Sequence, residues 1–532
     1  MTSVLKRIIL CYVLSTVLML LCVLRVFAVM KSENYRTVAD TMSSRVIKLN
    51  GARGTVFDTD MNRITNSRTA FYTVITDSPS VYASLFNFFD AEETNSIIEE
   101  IRQQGFALRI TASRLASDGI YSFPASVHAD DSLLAKHIVG YIDGEGHGVS
   151  GLEAAFDSML YTGEVNTVSF TLDGHGKKLG AEPDLKYDYA AENRGVKTTI
   201  DVDIQRIAEQ EALVIDKGAV VISEISTGKI RAMVSRPDFR ISDLASAISS
   251  SDSPLLNRAL CTYNAGSVFK PFVAAAGYEK GLDLDVECVG YTDIDNLSFA
   301  CHNLAGHGVM NLHDALKFSC NCFFYIYSQS VGAESIISVA KKAGVADTIR
   351  LADGLYCQKG SIGSTATLKK SARALANFSI GQGELMISPL VFCNIYSAIA
   401  SDGTYRPPTL VEGIVEKLKL TEEYPISASV RIMSQHTASR LKEDLSSVLE
   451  EGGTGHNATP LLCSAAGKTG TAQTGIKQDG KKVNNSWFCG FFPYDNPKYT
   501  VVVLSQNAKT PPAQVFASVA DGITSLGEGQ EP

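Results

Sequence analysis

The chain has no Walker loop, no basic run interleaved with aromatics, and no H-E-x-x-H pair among its nine histidines. These absences remove P-loop phosphate chemistry and a helix-borne metalloprotease zinc. A net charge of −9 speaks against nucleic acid as a partner, since such proteins present a basic face. Cysteine and histidine show no zinc-type linear spacing, so neither a metal nor a cofactor is expected. Internal repeats and long low-complexity linkers are missing too. Long hydrophobic runs are scarce, and a single one stands out.

That run extends from Ile8 to Leu24, preceded by Lys6-Arg7 and followed by Arg25. With Arg25 able to snorkel to the interface, it is long enough to cross a bilayer. "VFAVMKSEN" offers no convincing signal-peptidase site, so an uncleaved anchor is the preferred reading over a signal peptide. Long C-terminal domains translocate largely regardless of flanking charge. The expectation is a cytoplasmic tail (1–7), one transmembrane helix (8–30), and the remainder on the extracytoplasmic side of the cell membrane. The 532 residues exceed one ordinary core and imply two or three domains. Of eleven cysteines, Cys11 and Cys22 fall in the span. Cys288 and Cys301 flank a turn-rich segment and could pair. Cys320 and Cys322 point apart on any regular element. No disulfide follows from spacing alone.

Residues 50–200 are mixed, with strand-like runs such as "TAFYTVIT". From Gly218, "GAVVISEISTGKIRAMVS" reads as a hairpin about a Ser-Thr-Gly turn. "SVFKPFVAAAGYEKG" reads as a helix beginning at about Ser267 and stopping at Gly281; it is apolar nearly all round and therefore buried. "CSAAGKTGTAQ", "SWFCGFFPY" and "YTVVVLSQ" read as strands. Hairpin first, helices between and strands last imply one mixed α/β domain whose sheet is built from both ends of the segment. The final residues read as a helix end followed by a disordered tail (526–532).

Ser267 and Lys270 form a Ser-x-x-Lys pair. The same pattern recurs at Ser3/Lys6, Ser338/Lys341 and Ser439/Lys442, so alone it is weak. Lys6 serves topology, Lys341 ends a helix where cations suit the dipole, and Lys442 lies on the solvated side of an amphipathic helix. Ser267/Lys270 differs. Gly266 permits a tight entry, and helical spacing puts both side chains on one face. Burial would lower the lysine's pKa, letting a neutral amine take the serine proton. The helix start also aims N–H groups at a developing oxyanion. The bland alternative, a buried lysine beside a capping serine, is costly because a buried ammonium needs a partner. Ser319-Cys320-Asn321 and Lys468-Thr469-Gly470 follow in order. In the latter, Gly470 is read as clearing a path for a ligand backbone along a strand. From the residues alone, the argument reaches serine acyl transfer on a carboxylate-bearing ligand.

The ordered set SVFK, SCN and KTGTAQ resembles the active site of penicillin-binding proteins and serine β-lactamases. "RGTVFDTDMNRI", "GVSGLEAAFDSMLYTGE", "TTIDVDIQRIAEQEA", "SRPDF", "LNRAL", "SIGQGELMISPL" and "SWFCGFFP" extend the resemblance to class B penicillin-binding proteins, from about Arg53 to Asn507. Ala265, where the family commonly has proline, and "DTDMNR", where relatives often carry Arg-Asn-Gly, depart from it. The resemblance implies a penicillin-binding/β-lactamase-like transpeptidase domain (206–525), with a central antiparallel sheet flanked by helices. Before it would come an elongated membrane-proximal α+β domain (31–205) of pedestal or dimerisation type.

It also implies roles. Ser267 would be the nucleophile and Lys270 its base, while Ser319 relays the proton and Lys468 keeps the field positive. Asn321 would bind a substrate amide, Thr469 and Thr471 the terminal carboxylate, and the N–H groups of Ser267 and Thr471 would form the oxyanion hole. The implied reaction is peptidoglycan D,D-transpeptidation: D-Ala-D-Ala stem peptides acylate the serine, an acceptor amine resolves the ester, and β-lactams inhibit by acylation. A SEDS-type glycosyltransferase is the implied partner. A weakly catalytic scaffold for that partner is the alternative. A serine β-lactamase ranks lower, because no Glu-containing deacylation motif lies between Asn321 and Lys468.

Overall fold

A computed structural model describes residues 2–31, 44–171, 183–478 and 481–528. The disordered tail expected at 529–532 lies outside the described residues. Residues 526–528, assigned to the same tail, instead complete a helix, Pro512–Glu528. The N-terminal helix is continuous over Thr2–Lys31, so the expected tail at 1–7 is helical from Thr2 onward. Its Ser3–Lys31 portion has a mean hydropathy of 2.5 over its most apolar window and buries none of it against protein. At 1.5 Å per residue it outreaches a hydrocarbon core about 30 Å thick. An apolar surface this long with no protein cover fits a single-pass anchor.

The chain divides into two compact units. The smaller takes Met1–Ala52, Thr69–Ala125 and Gly163–Tyr189. Its centre is an antiparallel sheet in which "TAFYTVIT" is a strand, Arg68–Thr76, paired with Phe106–Thr111. Helix Ala91–Gln104 belongs to the same unit, with the Asp90 carboxylate capping the N–H of Glu93. The larger unit takes Arg53–Arg68, Ser126–Thr162 and Ala190–Pro532.

A single partition near residue 205 therefore does not describe the contacts. Thr55–Phe57 pairs in parallel with Gly195–Thr198, which pairs in turn with Val411–Glu416. Strand hydrogen bonds thus draw two early segments into the later unit. Arg53 fastens them further. Its guanidinium, 4% exposed, meets Glu153 at 2.6 Å and Asp157 at 2.8 Å, and His128 closes on Glu153 at 2.9 Å.

The sheet of the larger unit comprises β1 (Gly218–Glu224), β2 (Ile230–Arg236), β3 (Ala466–Gln478), β4 (Lys481–Phe492) and β5 (Tyr499–Gln506), ordered β2-β1-β5-β4-β3. All its pairings are antiparallel. The hairpin turns at Gly228, whose φ of +74° suits glycine. Both ends of the segment do build the sheet, and the late strand β3 becomes its edge. Val501 to Leu504 are buried without alternation, as a strand covered on both faces requires. On one face Thr500 bonds Ser397 of α3 (Pro389–Ala400), and Trp487 packs on Phe392 of the same helix. On the other, Phe488 and Phe492 pack on Phe516 of α4 (Pro512–Glu528). Burial worth about 1.5–3 kcal/mol per large side chain makes these two helices the clamps of the sheet.

The Arg53 cluster yields the first prediction. Glu153→Ala removes one of the two carboxylates on a buried guanidinium and leaves Asp157, a loss of about 1.5–3 kcal/mol, read as a lower Tm on thermal unfolding. Burial raises the Glu153 pKa, but His128 and Arg53 outweigh it, so the carboxyl lies below its ordinary value of 4.5. The wild-type advantage is therefore complete above about pH 4.5 and disappears as the pH falls through the depressed value. A Tm gap that persists unchanged at low pH would contradict this assignment.

Candidate active site

The Ser-x-x-Lys segment is approached through a two-residue strand, Tyr263–Asn264, paired with Met386–Ile387. The Trp487 indole N–H donates to the Asn264 carbonyl at 3.0 Å. The chain then turns at Gly266, with φ +65°, and its N–H donates to Gly381 at 2.8 Å. A side chain at Gly381 would collide with the Gly266 carbonyl.

Gly266–Phe269 is a 3-10 turn, and the α-helix α1 runs over Lys270–Glu279. The helix expected from Ser267 is thus α-helical only from Lys270. Lys270 is the first α-helical residue, one turn after Ser267. Everything from Lys270 to Gly277 is buried, as the all-round apolar pattern predicted.

Lys270 is fully buried. Its Nζ donates to the Ser319 carbonyl at 2.6 Å, the Ser319 hydroxyl at 3.2 Å and the Asn321 carboxamide oxygen at 2.8 Å. The ring of Phe324 lies 5.2 Å away. Burial brings its pKa down to about 7, against an opposing pull from the thiols of Cys320, Cys301 and Cys322. An amine near that value is an effective base at neutral pH.

Ser319 reaches the lysine through a helix ending. Helix Leu312–Lys317 closes with Ser319 N–H donating to Leu316 and Cys320 N–H donating to Ala315, the paired bonds of a Schellman motif. Ser319 occupies the left-handed position, φ +57°, where glycine is usual and a side chain costs about 1–2 kcal/mol. That strain aims carbonyl and hydroxyl together at Lys270. Cys320 then caps α2 (Asn321–Val331), which starts with Asn321.

β3 carries the third motif along the sheet edge. Lys468, Gly470 and Ala472 are buried, Thr469 is half-buried and Thr471 exposed, the alternation of a strand. A Cβ on Gly470 would sit 3.0 Å from the Val268 backbone nitrogen. The small residue therefore lets the strand lie against the Ser267 turn. A Cβ on Gly266 would sit 2.7 Å from the Thr471 carbonyl, so two glycines bring strand and turn together.

Lys468 is fully buried, with Nζ 3.3 Å from the Thr469 carbonyl. Burial, then the neighbouring Lys270, press its pKa well below an ordinary lysine. Among the described residues no carboxylate pairs with it. Thr469 also hydrogen-bonds Thr454 at 3.1 Å. Thr454, Phe324 and Gly381 are site residues that motif spacing did not announce.

The expectation of no metal centre rested on linear spacing, which does not register residues that meet only in the fold. The donor atoms of Cys288, Cys301, His307 and Cys320 all lie within 4.8 Å of one another. Cys320 and Cys322 are unbridged, and so are Cys288 and Cys301.

Comparison with known proteins agrees with this architecture. Residues 218–523 match the penicillin binding protein transpeptidase domain. Stage V sporulation protein D of Bacillus subtilis is 31% identical over 439 residues, which are 78% of this chain and 64% of that protein. Peptidoglycan D,D-transpeptidase MrdA of Acinetobacter baumannii is 23% identical, covering 90% of this chain and 80% of the relative. Penicillin binding protein 3 of Mycobacterium tuberculosis, solved with ampicillin, superposes with a TM-score of 0.66 at 23% identity over 91% of this chain and 96% of that one. With the matched domain spanning more than half its length, the chain belongs to the penicillin-binding protein family, among the class B transpeptidases.

Proposed function

We propose that this protein is a serine D,D-transpeptidase that cross-links peptidoglycan stem peptides. The supporting observation is Lys270, a fully buried amine held by both oxygens of Ser319 and by Asn321, one turn after Ser267 in the chain. Neutral Lys270 takes the Ser267 proton as the hydroxyl attacks the D-Ala-D-Ala carbonyl. The tetrahedral oxyanion is received by the N–H groups of Ser267 and Thr471. Ser319, hydrogen-bonded to the amine, passes the proton to the departing D-alanine, which leaves an ester on Ser267. An acceptor amine from a neighbouring strand then resolves the ester, by the same groups in reverse. β-Lactams enter the same path and stop at the acyl-enzyme.

Substrate binding follows the site's chemistry. Asn321 commits its oxygen to Lys270, so its NH2 group serves the substrate amide. Thr469 and Thr471 receive the terminal carboxylate. Its arrival beside Lys468 returns to that lysine the charge burial disfavours. The N-terminal helix holds the catalytic unit at the cell membrane on its extracytoplasmic side. A SEDS-type glycosyltransferase is the proposed partner, engaged through that helix and the smaller unit as a membrane-proximal pedestal; family resemblance supports this.

Three measurements test the reading. Intact mass after incubation with benzylpenicillin should show a stable adduct on the wild type and none on Ser267→Ala. Rapid drug turnover without an adduct would instead mean a β-lactamase, and no reaction at all a scaffold. The acylation rate should rise with pH to a plateau, half-maximal near pH 7, because only the deprotonated amine accepts the proton and Lys270 titrates at about 7; a flat profile from pH 6 to 9 excludes it as base. Ser319→Gly relieves a left-handed backbone and should leave stability within about 1 kcal/mol of wild type, while acylation slows by about 10²-fold or more, as loss of a positioned proton carrier does. An acylation rate equal to wild type would remove Ser319 from the mechanism.

A further inference from the structure

The loop that follows helix Gln435–Ser447 is shaped around a single threonine. Gly452, Gly453 and Gly455 surround Thr454. Gly452 has a φ of +78°. A Cβ on Gly453 would sit 2.3 Å from the Val448 carbonyl, and one on Gly455 would sit 3.0 Å from the Val448 side chain. Glycine therefore lets the turn fold onto its own helix end, where the Gly455 N–H donates to the Val448 carbonyl at 2.9 Å. Glu450, in the same loop, pairs with Lys317 at 2.7 Å. These contacts carry Thr454 to the gap between two motif-bearing elements.

On one side it meets the helix that runs into Ser319. The Lys317 carbonyl lies in the last turn of that helix, where a helix has no N–H of its own to offer. Thr454 supplies two donors to it, its N–H at 3.2 Å and its hydroxyl at 3.3 Å. On the other side, the Thr469 hydroxyl donates to Thr454 Oγ1 at 3.1 Å.

The direction of this chain is set at its end. A carbonyl only accepts, so the Thr454 hydrogen points at Lys317 and Thr469 spends its own hydrogen on Thr454. A Thr469 committed in this way offers a ligand lone pairs alone, which suit an N–H and oppose a carboxylate. Thr454 is exposed and Thr469 half-buried, so a ligand in the cleft can reach the pair.

We propose that Thr454 is a hydroxyl switch that positions Thr469 for the terminal carboxylate of the substrate. As the carboxylate arrives, Thr469 turns its O–H onto it and Thr454 turns its O–H onto the Thr469 oxygen. The Lys317 carbonyl is not abandoned, because the Thr454 N–H still serves it. No proton changes owner; two O–H bonds rotate. Donors aligned in series polarise one another, so Thr469 holds an anion more strongly with Thr454 behind it. An esterified ligand brings no charge for the reversed chain to meet, and Thr454 thereby adds to the selectivity for a free carboxylate. The switch rests on the transpeptidase reading, which places that carboxylate at Thr469. Thr454 is a positioning residue, since it acts through Thr469.

The test compares acylation of the full chain in detergent by benzylpenicillin and by its methyl ester, each followed by intact mass. Wild type should favour the free acid. Thr454→Val keeps the shape and removes the hydroxyl. It should lower the acid-to-ester ratio of acylation rates by about fivefold to tenfold, the worth of one hydrogen bond. The rate with the ester should stay within about twofold of wild type, and Thr454→Ser, which retains the hydroxyl, should bring the ratio back to within about twofold. An unchanged ratio in Thr454→Val would overturn the switch. Equal slowing with both drugs, or a serine variant that behaves as the valine one, would make Thr454 a packing residue and overturn it as well. A wild type acylated equally by acid and ester would leave the serine chemistry standing and remove the carboxylate from Thr469, and the switch with it. A wild type inert to both would instead remove the transpeptidase reading on which the switch rests.

Discussion

A buried amine with no carboxylate to neutralise it is the constraint around which this site is organised. Left alone, Lys270 would be intolerable in an apolar core. The fold answers with three oxygens and no negative charge. Neutral acceptors satisfy the N–H bonds without holding the proton on, so the lysine keeps a depressed pKa. A carboxylate in place of Asn321 would satisfy the same geometry and favour the ammonium, removing the base.

Much of the surrounding structure exists to deliver those oxygens. Ser319 supplies two of them only because a helix ends in a Schellman motif with serine at the glycine position, and that conformation is kept at a cost. Strain of this kind persists where the neighbouring structure over-determines it. Here the determinants are the Ala315 and Leu316 carbonyls on one side and Lys270 on the other. Glycine does the complementary work on the strand side. Gly266, Gly381 and Gly470 remove side chains at three contacts between turn, loop and sheet edge, which lets the third motif lie against the first.

The legible and illegible parts divide along physical lines. The hairpin, the buried helix and the late strands could be read because hydrophobic periodicity and turn chemistry are local. The three motifs could be read because each packs its chemistry into three or four consecutive residues. Less visible was the 3-10 start of the Ser267 turn, since propensity separates α from 3-10 poorly over one turn. The inclusion of Arg53–Arg68 and Ser126–Thr162 in the larger unit was also hidden. It is made by strand pairing and by the Arg53 ion pairs with Glu153 and Asp157 across some hundred residues of chain, which leave no periodic mark.

Local order along the chain was enough to nominate the candidate site residues: Ser267, Lys270, Ser319, Asn321 and the Lys468 strand. Their condition was not. Whether a lysine is neutral depends on what surrounds it in three dimensions, and whether Gly470 serves ligand or packing depends on which neighbour lies across the gap. The cysteines make the same point most plainly. Spaced at 288, 301 and 320 with a histidine at 307, they match no linear metal signature. Only the folded chain, through two short hairpins and a helix start, brings their donor atoms within ligand distance.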